Sequence, residues 1–450
     1  MFMRYRRQMY SALLCFALAL IVTGLIWDGP DTVSSGIRRI LSMPDLLITD
    51  YVMVGGPGAA LVNSGFVTLI SIALLYCSKS PPTAYTVVVV GLMSGFSLFG
   101  KNFVNILPIL LGGWLYSLVK NEPFSSYSSV TLMSTALSPI VSYIAHDGGY
   151  ASVGPAIAAG VLIGFVIPPL SSYTFKLQSG MNLYNVGFAC GILGMILVPV
   201  MISSGKQLKT VLYWATGYNL PFGIMIAALC VLLIAAGLFF SGKPVWAVWA
   251  GYRRLLHTSG RAPSDYLRLF GGGTVMLNMG INGLIGTAYI LIIGGDLNGP
   301  TLAGILCVMG FSAFGKHMRN IVPIMLGVVL GGVIMPWSLS DPSLQIAGLF
   351  CTTLAPIAGF FGWPYGILAG FLHSSVVLTT GSTLAGMNLY NNGFSGGLVA
   401  MVLYPVISAM GRHLKPIILE EEFMDIFTES TPLTMTEEFL PEKEMEQEQE

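Results

Sequence analysis

Gly95-Phe96-Ser97-Leu98-Phe99-Gly100-Lys101-Asn102-Phe103-Val104-Asn105-Ile106-Leu107-Pro108-Ile109-Leu110-Leu111-Gly112 returns later in the chain as Gly310-Phe311-Ser312-Ala313-Phe314-Gly315-Lys316-His317-Met318-Arg319-Asn320-Ile321-Val322-Pro323-Ile324-Met325-Leu326-Gly327. Every glycine, the Phe-Ser pair, the second phenylalanine, the lysine, the second asparagine and the proline recur at one offset of 215 residues. Shared apolar composition does not hold such a register, so the chain is a duplication. The stretch itself is a glycine-bounded apolar run broken by a lysine, amides and a proline.

The rest of the chain is as apolar as this stretch. Of its 450 residues 54% are hydrophobic and only 9% charged, where a soluble globule has roughly a quarter charged. Apolar runs of about 17 to 25 residues, each able to cross a hydrocarbon core of about 30 Å, recur from end to end. The weak alternation of an outer-membrane barrel is absent, so the spans are helices. The fold expected is all-α: a polytopic membrane bundle of about 12–14 hydrophobic segments.

The formal net charge of zero conceals two parts of opposite sign. Residues 420–450 hold 12 of the 21 acidic residues and one base, Lys443, leaving 20 bases against 9 acids in the remainder. The six cysteines, Cys15, Cys77, Cys190, Cys230, Cys307 and Cys351, lie inside apolar runs without CxxC spacing, which suits buried thiols and neither a disulfide framework nor a metal site.

The first apolar run, from Met9 to Trp27, follows Arg4, Arg6 and Arg7 and reads as a spanning helix with a cytoplasmic amino end. Residues 1–49 therefore form an N-terminal helix and loop. A first repeat follows at 50–205, with apolar segments near 52–76, 83–99, 103–119, 127–145, 152–170 and 184–203. A linker helix and basic loop occupy 206–264. The second repeat, 265–411, has segments near 271–293, 301–314, 321–337, 344–361, 364–380 and 389–410. The acidic tail, 412–450, loses apolar periodicity and is expected to be a disordered cytoplasmic segment.

Further pairs keep the register: Asp50-Tyr51 with Asp265-Tyr266, and Asn63-x-Gly65 with Asn278-x-Gly280. Gly180-Met181-Asn182-Leu183-Tyr184-Asn185 returns as Gly386-Met387-Asn388-Leu389-Tyr390-Asn391 at an offset of 206. Six crossings per repeat place Lys243, Arg253, Arg254 and Arg261 in the cytoplasm with both termini, although Lys206 and Lys209 vote the other way. Seven crossings between equivalent points is an odd number, so the two repeats are expected to be inverted about an axis in the membrane plane. The piece before Gly315-Lys316 has only about 14 residues, about 21 Å as a helix, and points to broken or re-entrant helices.

Chemistry is sought where polar groups interrupt these runs. A lysine within the hydrocarbon region costs about 2.5–3.5 kcal/mol on insertion scales and faces a cavity, a partner or the interface. Lys101 and Lys316 either snorkel to headgroups or, with Asn102 and His317, form the mouth of a broken helix whose N–H groups hold an anionic or polar solute. Asn105, Asn320, Asn182, Asn185, Asn388 and Asn391 offer uncharged donors and acceptors, as helix caps, as interhelical bonds or as pore lining. These ten residues are the candidate solute-binding set. His317 and His373 could serve a proton relay, though a membrane histidine is more often a hydrogen-bonded core residue. Gly55-Gly56-Pro57-Gly58 and Gly271-Gly272-Gly273 have no GK[ST] after them, which removes a phosphate loop. His-Glu-x-x-His, Gly-x-Ser-x-Gly and paired membrane aspartates are also absent from the sequence, so no catalysis is expected.

The Gly-Phe-Ser-x-Phe-Gly-Lys and Gly-Met-Asn-Leu-Tyr-Asn motifs, with the chain length, resemble an uncharacterised bacterial family of polytopic membrane proteins known as a domain of unknown function. The resemblance runs from about residue 9 to 412 and implies no activity. In plan the chain is also similar to urea-channel-type facilitators, but it lacks their Asn-Asn-Pro signature. The reading from sequence is a transporter or channel of the inner (plasma) membrane for a small polar or anionic solute. The alternative is a membrane-embedded enzyme or an assembly or scaffold protein. Expected partners are the lipid bilayer, the solute and further copies in a homo-oligomer; no nucleic acid, cofactor or metal is expected.

Overall fold

Capping side chains and glycine-proline steps divide the apolar runs into twenty α-helices in the computed structural model, which describes residues 2–46, 48–147, 152–205, 208 and 210–410. The acidic tail, Lys206 and Lys209 lie outside the described residues. The first ten helices are α1 (Phe2–Asp28), α2 (Pro30–Leu41), α3 (Tyr51–Gly55), α4 (Pro57–Cys77), α5 (Ala84–Phe96), α6 (Leu107–Lys120), α7 (Ser128–Ser134), α8 (Ser138–Asp147), α9 (Val153–Gln178) and α10 (Asn185–Ser203). The second ten repeat the order: α11 (Asn219–Phe239), α12 (Val245–Leu255), α13 (Tyr266–Phe270), α14 (Gly272–Ile292), α15 (Gly299–Phe311), α16 (Met318–Ile334), α17 (Pro342–Phe350), α18 (Ala355–Phe361), α19 (Trp363–Thr383) and α20 (Asn391–Ala409). A 3-10 turn joins α7 to α8 at Thr135–Leu137 and α17 to α18 at Cys351–Leu354.

Among the described residues nine helical stretches are long and apolar enough to cross a membrane, counting α7–α8 and α17–α18 as one each. The protein is an all-helical, polytopic membrane protein. Helices α5, α6, α15 and α16 are apolar but shorter; the 13 residues of α5 and of α15 extend only about 20 Å.

The helix expected to stand alone as a linker does not. Helix α11 packs along α14 as α1 packs along α4, so the repeated order begins with α1 and α11, ahead of the expected boundaries at 50 and 265. Helices α2 and α12 carry a further match at offset 215, Gly36-Ile37-Arg38-Arg39 against Gly251-Tyr252-Arg253-Arg254. Three identical residues in four are too few to stand out in sequence, and the helices' shared place in the fold makes the match visible.

The two halves meet along α5 and α15. Gly91 lies against Leu306 and Gly310, and Gly95 against Ala303, so these equivalent helices run antiparallel. A methyl group at Gly95 would sit 2.9 Å from the Ala303 carbonyl oxygen; only glycine lets the backbones approach so closely. The contact is reinforced by exchanged caps. Asp50 accepts from Gly299 N (3.2 Å), the first residue of α15, and from Ala215 N (2.9 Å). Asp265 accepts from Ala84 N (3.2 Å), the first residue of α5. Each aspartate thereby supplies an acceptor to one of the orphan N–H groups that begin the other half's short helix.

Candidate functional site

Each short helix ends in a break that the sequence enforces. Gly100 and Gly315 adopt φ of 69° and 103°, a region open to glycine at little cost. The carbonyls freed by the break need donors. Asn63, two turns into α4, donates its amide to Ser97 O (2.7 Å) and Lys101 O (2.9 Å). Asn278 on α14 does the same for Ser312 O and Lys316 O, both at 2.8 Å.

The candidate amides at the breaks complete these turns instead of facing a solute. Asn102 Oδ1 accepts from Val104 N and Asn105 N, and Asn105 Oδ1 accepts from Asn102 N. Asn105 Nδ2 donates to Ser142 Oγ (2.9 Å), Asp45 Oδ2 (3.2 Å) and Gly100 O (3.3 Å). Asn320 accepts from His317 N (2.9 Å) and donates to Gly315 O (2.8 Å). The N–H groups of Asn102, Val104, Asn105 and His317 at these breaks are therefore taken by the chain's own side chains. His317 is buried with Nε2 on Thr258 O at 3.0 Å, and His373 is buried against Asn392 Oδ1 at 3.0 Å; neither of these hydrogen bonds is to another titratable group.

Lys101 and Lys316 behave differently. Both are fully buried, with zero exposure, which removes the snorkelling alternative, and neither has a carboxylate partner among the described residues. Lys101 Nζ donates to the hydroxyl of Tyr390 at 3.1 Å and approaches Met93 Sδ at 3.5 Å. Lys316 Nζ donates to the hydroxyl of Tyr184 and to Thr352 Oγ1 at 2.7 Å. Each lysine thus bonds a tyrosine of the opposite half. Rings complete the surroundings: Lys101 Nζ lies 5.7 Å from the Phe96 centroid and 5.0 Å from that of Tyr390, and Lys316 Nζ lies 5.0 Å from Phe311 and 4.4 Å from Tyr184. A desolvated ammonium over such a face gains about 2 kcal/mol. That is well short of a counter-ion.

The Gly-Met-Asn-Leu-Tyr-Asn motif positions both tyrosines by reaching across the molecule. Leu183 N donates to Thr353 O and Leu389 N to Ala136 O, both at 3.0 Å, so each motif docks on the other half's 3-10 turn. Asn182 Oδ1 and Asn388 Oδ1 accept from the backbone N of Tyr184 and Tyr390, fixing the local turn. Their amides donate to Gly393 O (3.0 Å) and Gly187 O (3.4 Å), again across the halves. Asn185 and Asn391 instead bond the preceding helices at Ser171 O and Val377 O.

A cavity of about 20 Å³ lies between the halves, lined by Tyr184, Tyr390, Phe96, Phe311 and Phe350 among others. That is space for roughly one water molecule. The two tyrosines line it, and each carries a lysine on its hydroxyl.

Of the ten candidates, the fold brings the two lysines into equivalent buried positions, while Asn102, Asn105 and Asn320 close the breaks, Asn182 and Asn388 hold the tyrosine turns, and Asn185, Asn391 and His317 bond elsewhere. Sequence reasoning quoted Tyr184 and Tyr390 inside a motif without giving them a role. Their signal was the recurrence of a hydroxyl-bearing aromatic in both copies, just as the lysine recurs. Asn63 and Asn278 were likewise seen as a pair but not as supports of the breaks.

The profile of the family described as "Protein of unknown function (DUF1576)" matches residues 29–203 and 245–409, starting at equivalent points beside α2 and α12. No curated protein and no solved structure gives a match.

Proposed function

We propose that this chain, which belongs to the DUF1576 family of proteins of unknown function, is a membrane transporter or channel for a small polar or anionic solute, with its site between two inverted halves. One observation carries the reading: two buried lysines without carboxylate partners among the described residues, at equivalent positions, each bonded to a tyrosine of the other half around a shared cavity. A buried charge left without a counter-ion is costly, and a solute that carries or attracts negative charge offsets that cost.

The antiparallel contact of α5 with α15 and the reciprocal caps support inversion, because an axis in the membrane plane turns one copy of each feature into the other. The same arrangement favours modest local gating over wide rocking of the halves, which would break both caps and both Lys–Tyr bonds. We place the protein in the cell membrane with both termini and the 243–261 loop in the cytoplasm, without catalytic activity.

The test is a flux screen of the purified full chain in proteoliposomes against small anions and neutral polar solutes. At least one class should pass faster than through protein-free vesicles, and Lys101→Met or Lys316→Met should reduce that flux while the variant still elutes as folded protein. Folded, reconstituted wild type that moves neither class would refute the reading.

A further inference from the structure

The chemistry around the cavity narrows the solute class, and the narrowing rests on the transport reading above. A neutral amide such as urea brings four N–H donors and needs acceptors from the wall. The wall is poor in them. No carboxylate among the described residues lines the cavity, and the side-chain oxygen of Asn392, which does line it, already faces His373 Nε2. The other polar side chains of the wall are Tyr184, Tyr390 and Tyr85, the last of which donates its hydroxyl to Met133 Sδ.

The Tyr390 oxygen accepts from Lys101, and its own hydrogen has no acceptor among the described residues. The Tyr184 oxygen accepts from Lys316 and from Cys307 Sγ, and the hydroxyl also lies beside the Thr352 side chain. A hydroxyl that accepts from an ammonium becomes a stronger donor on its other side. Tyr184 and Tyr390 both line one small cavity, each with a lysine on its hydroxyl and apolar rings around it. In a low-dielectric pocket this arrangement stabilises negative charge at the centre.

We infer that the cavity takes a single small monovalent anion of about halide size, bonded by the hydroxyls of Tyr184 and Tyr390 with Lys101 and Lys316 as the charges that hold it. The room for roughly one water excludes a large organic anion. The aromatic walls require the anion to shed most of its hydration, and the paired lysines replace that hydration electrostatically.

The experiment uses the full chain in proteoliposomes loaded with fluoride or chloride, with valinomycin carrying the counter-charge and an ion-selective electrode as readout. Urea is followed in parallel by light scattering. Fluoride or chloride should leave about tenfold faster than from protein-free vesicles and gluconate should not. Tyr184→Phe and Tyr390→Phe keep the ring shape, and each should cut the halide flux about tenfold. Passage of urea without halide would overturn the inference and leave the transport reading standing; passage of neither would remove both. Halide flux unchanged in both tyrosine variants would also overturn it. Independently of any variant, halide should raise the melting midpoint of the wild type in detergent above that in gluconate at equal ionic strength, and equal midpoints would count against an anion site.

Discussion

The ammonium of Lys101 donates to the phenol oxygen of Tyr390 across 289 residues of sequence, at 3.1 Å. Its counterpart, Lys316 to Tyr184, spans 132 residues in the opposite sense. Two bonds of the same chemical type therefore tie the halves together in both directions.

Removing one acceptor leaves a buried cation with less to bond. Tyr390→Phe should destabilise the protein by about 1.5–3 kcal/mol, the range for hydrogen bonds to charged groups. Lys101→Met in the same chain should recover most of that loss, since the group in need of a partner is gone. Melting curves of the two single variants and the double variant give the coupling directly. Additive losses would mean that the bond contributes nothing.

The breaks after α5 and α15 depend on amides that donate to two carbonyls each. Asn63→Ala should leave Ser97 O and Lys101 O without these donors, at about 1–3 kcal/mol each. Asn278→Ala leaves Asn282, which already donates to the Ser312 hydroxyl at 2.7 Å and reaches Lys316 O at 3.5 Å, so its loss should be smaller. Thermal unfolding of both variants in detergent tests the order. An Asn278→Ala variant that is the less stable of the two would contradict this account of the breaks.

The exchanged caps make a prediction about distance in sequence. Asp50→Ala should raise amide hydrogen exchange at Gly299, far along the chain, and Asp265→Ala should do the same at Ala84. The stability lost should be about 0.5–2 kcal/mol per cap. Exchange that rises only beside the substituted residue would mean that the caps do not act across the halves.

Inversion is read out by Arg38 and Arg253, exposed residues at equivalent positions of α2 and α12. In a chain without other reactive cysteines, Arg253→Cys should react with an impermeant maleimide only from the cytoplasmic side and Arg38→Cys only from outside. Labelling of both from one face would remove the in-plane axis and the cytoplasmic placement of the 243–261 loop.

Much of the architecture was legible because the membrane imposes length and apolarity on each span. The break at Gly100-Lys101-Asn102, for example, follows from residue types that cannot continue a lipid-facing helix. The place of α11 was not legible, because lipid-facing helices share composition without sharing identities, so its likeness to α1 lies in packing alone. The roles of the site residues were only partly open to reading. Asn105 and Asn320 look the same in sequence whether they face a pore or a backbone carbonyl, and only the path of the chain decides. The partners of the lysines were hidden for a related reason: the bonding tyrosine belongs to the other copy, and an offset within one repeat cannot reveal a contact between two.

The exchanged caps also set a timetable for biogenesis. The acceptor for the first turn of α5 is Asp265, made 181 residues after Ala84, and the acceptor for Lys101 arrives later still. At about 5–20 residues per second, the first half waits on the order of 10–40 s in the bilayer with a helix start exposed and a charged amine lacking its phenol. A chain stalled midway therefore lacks both acceptors and cannot complete the start of α5 or the bond of Lys101.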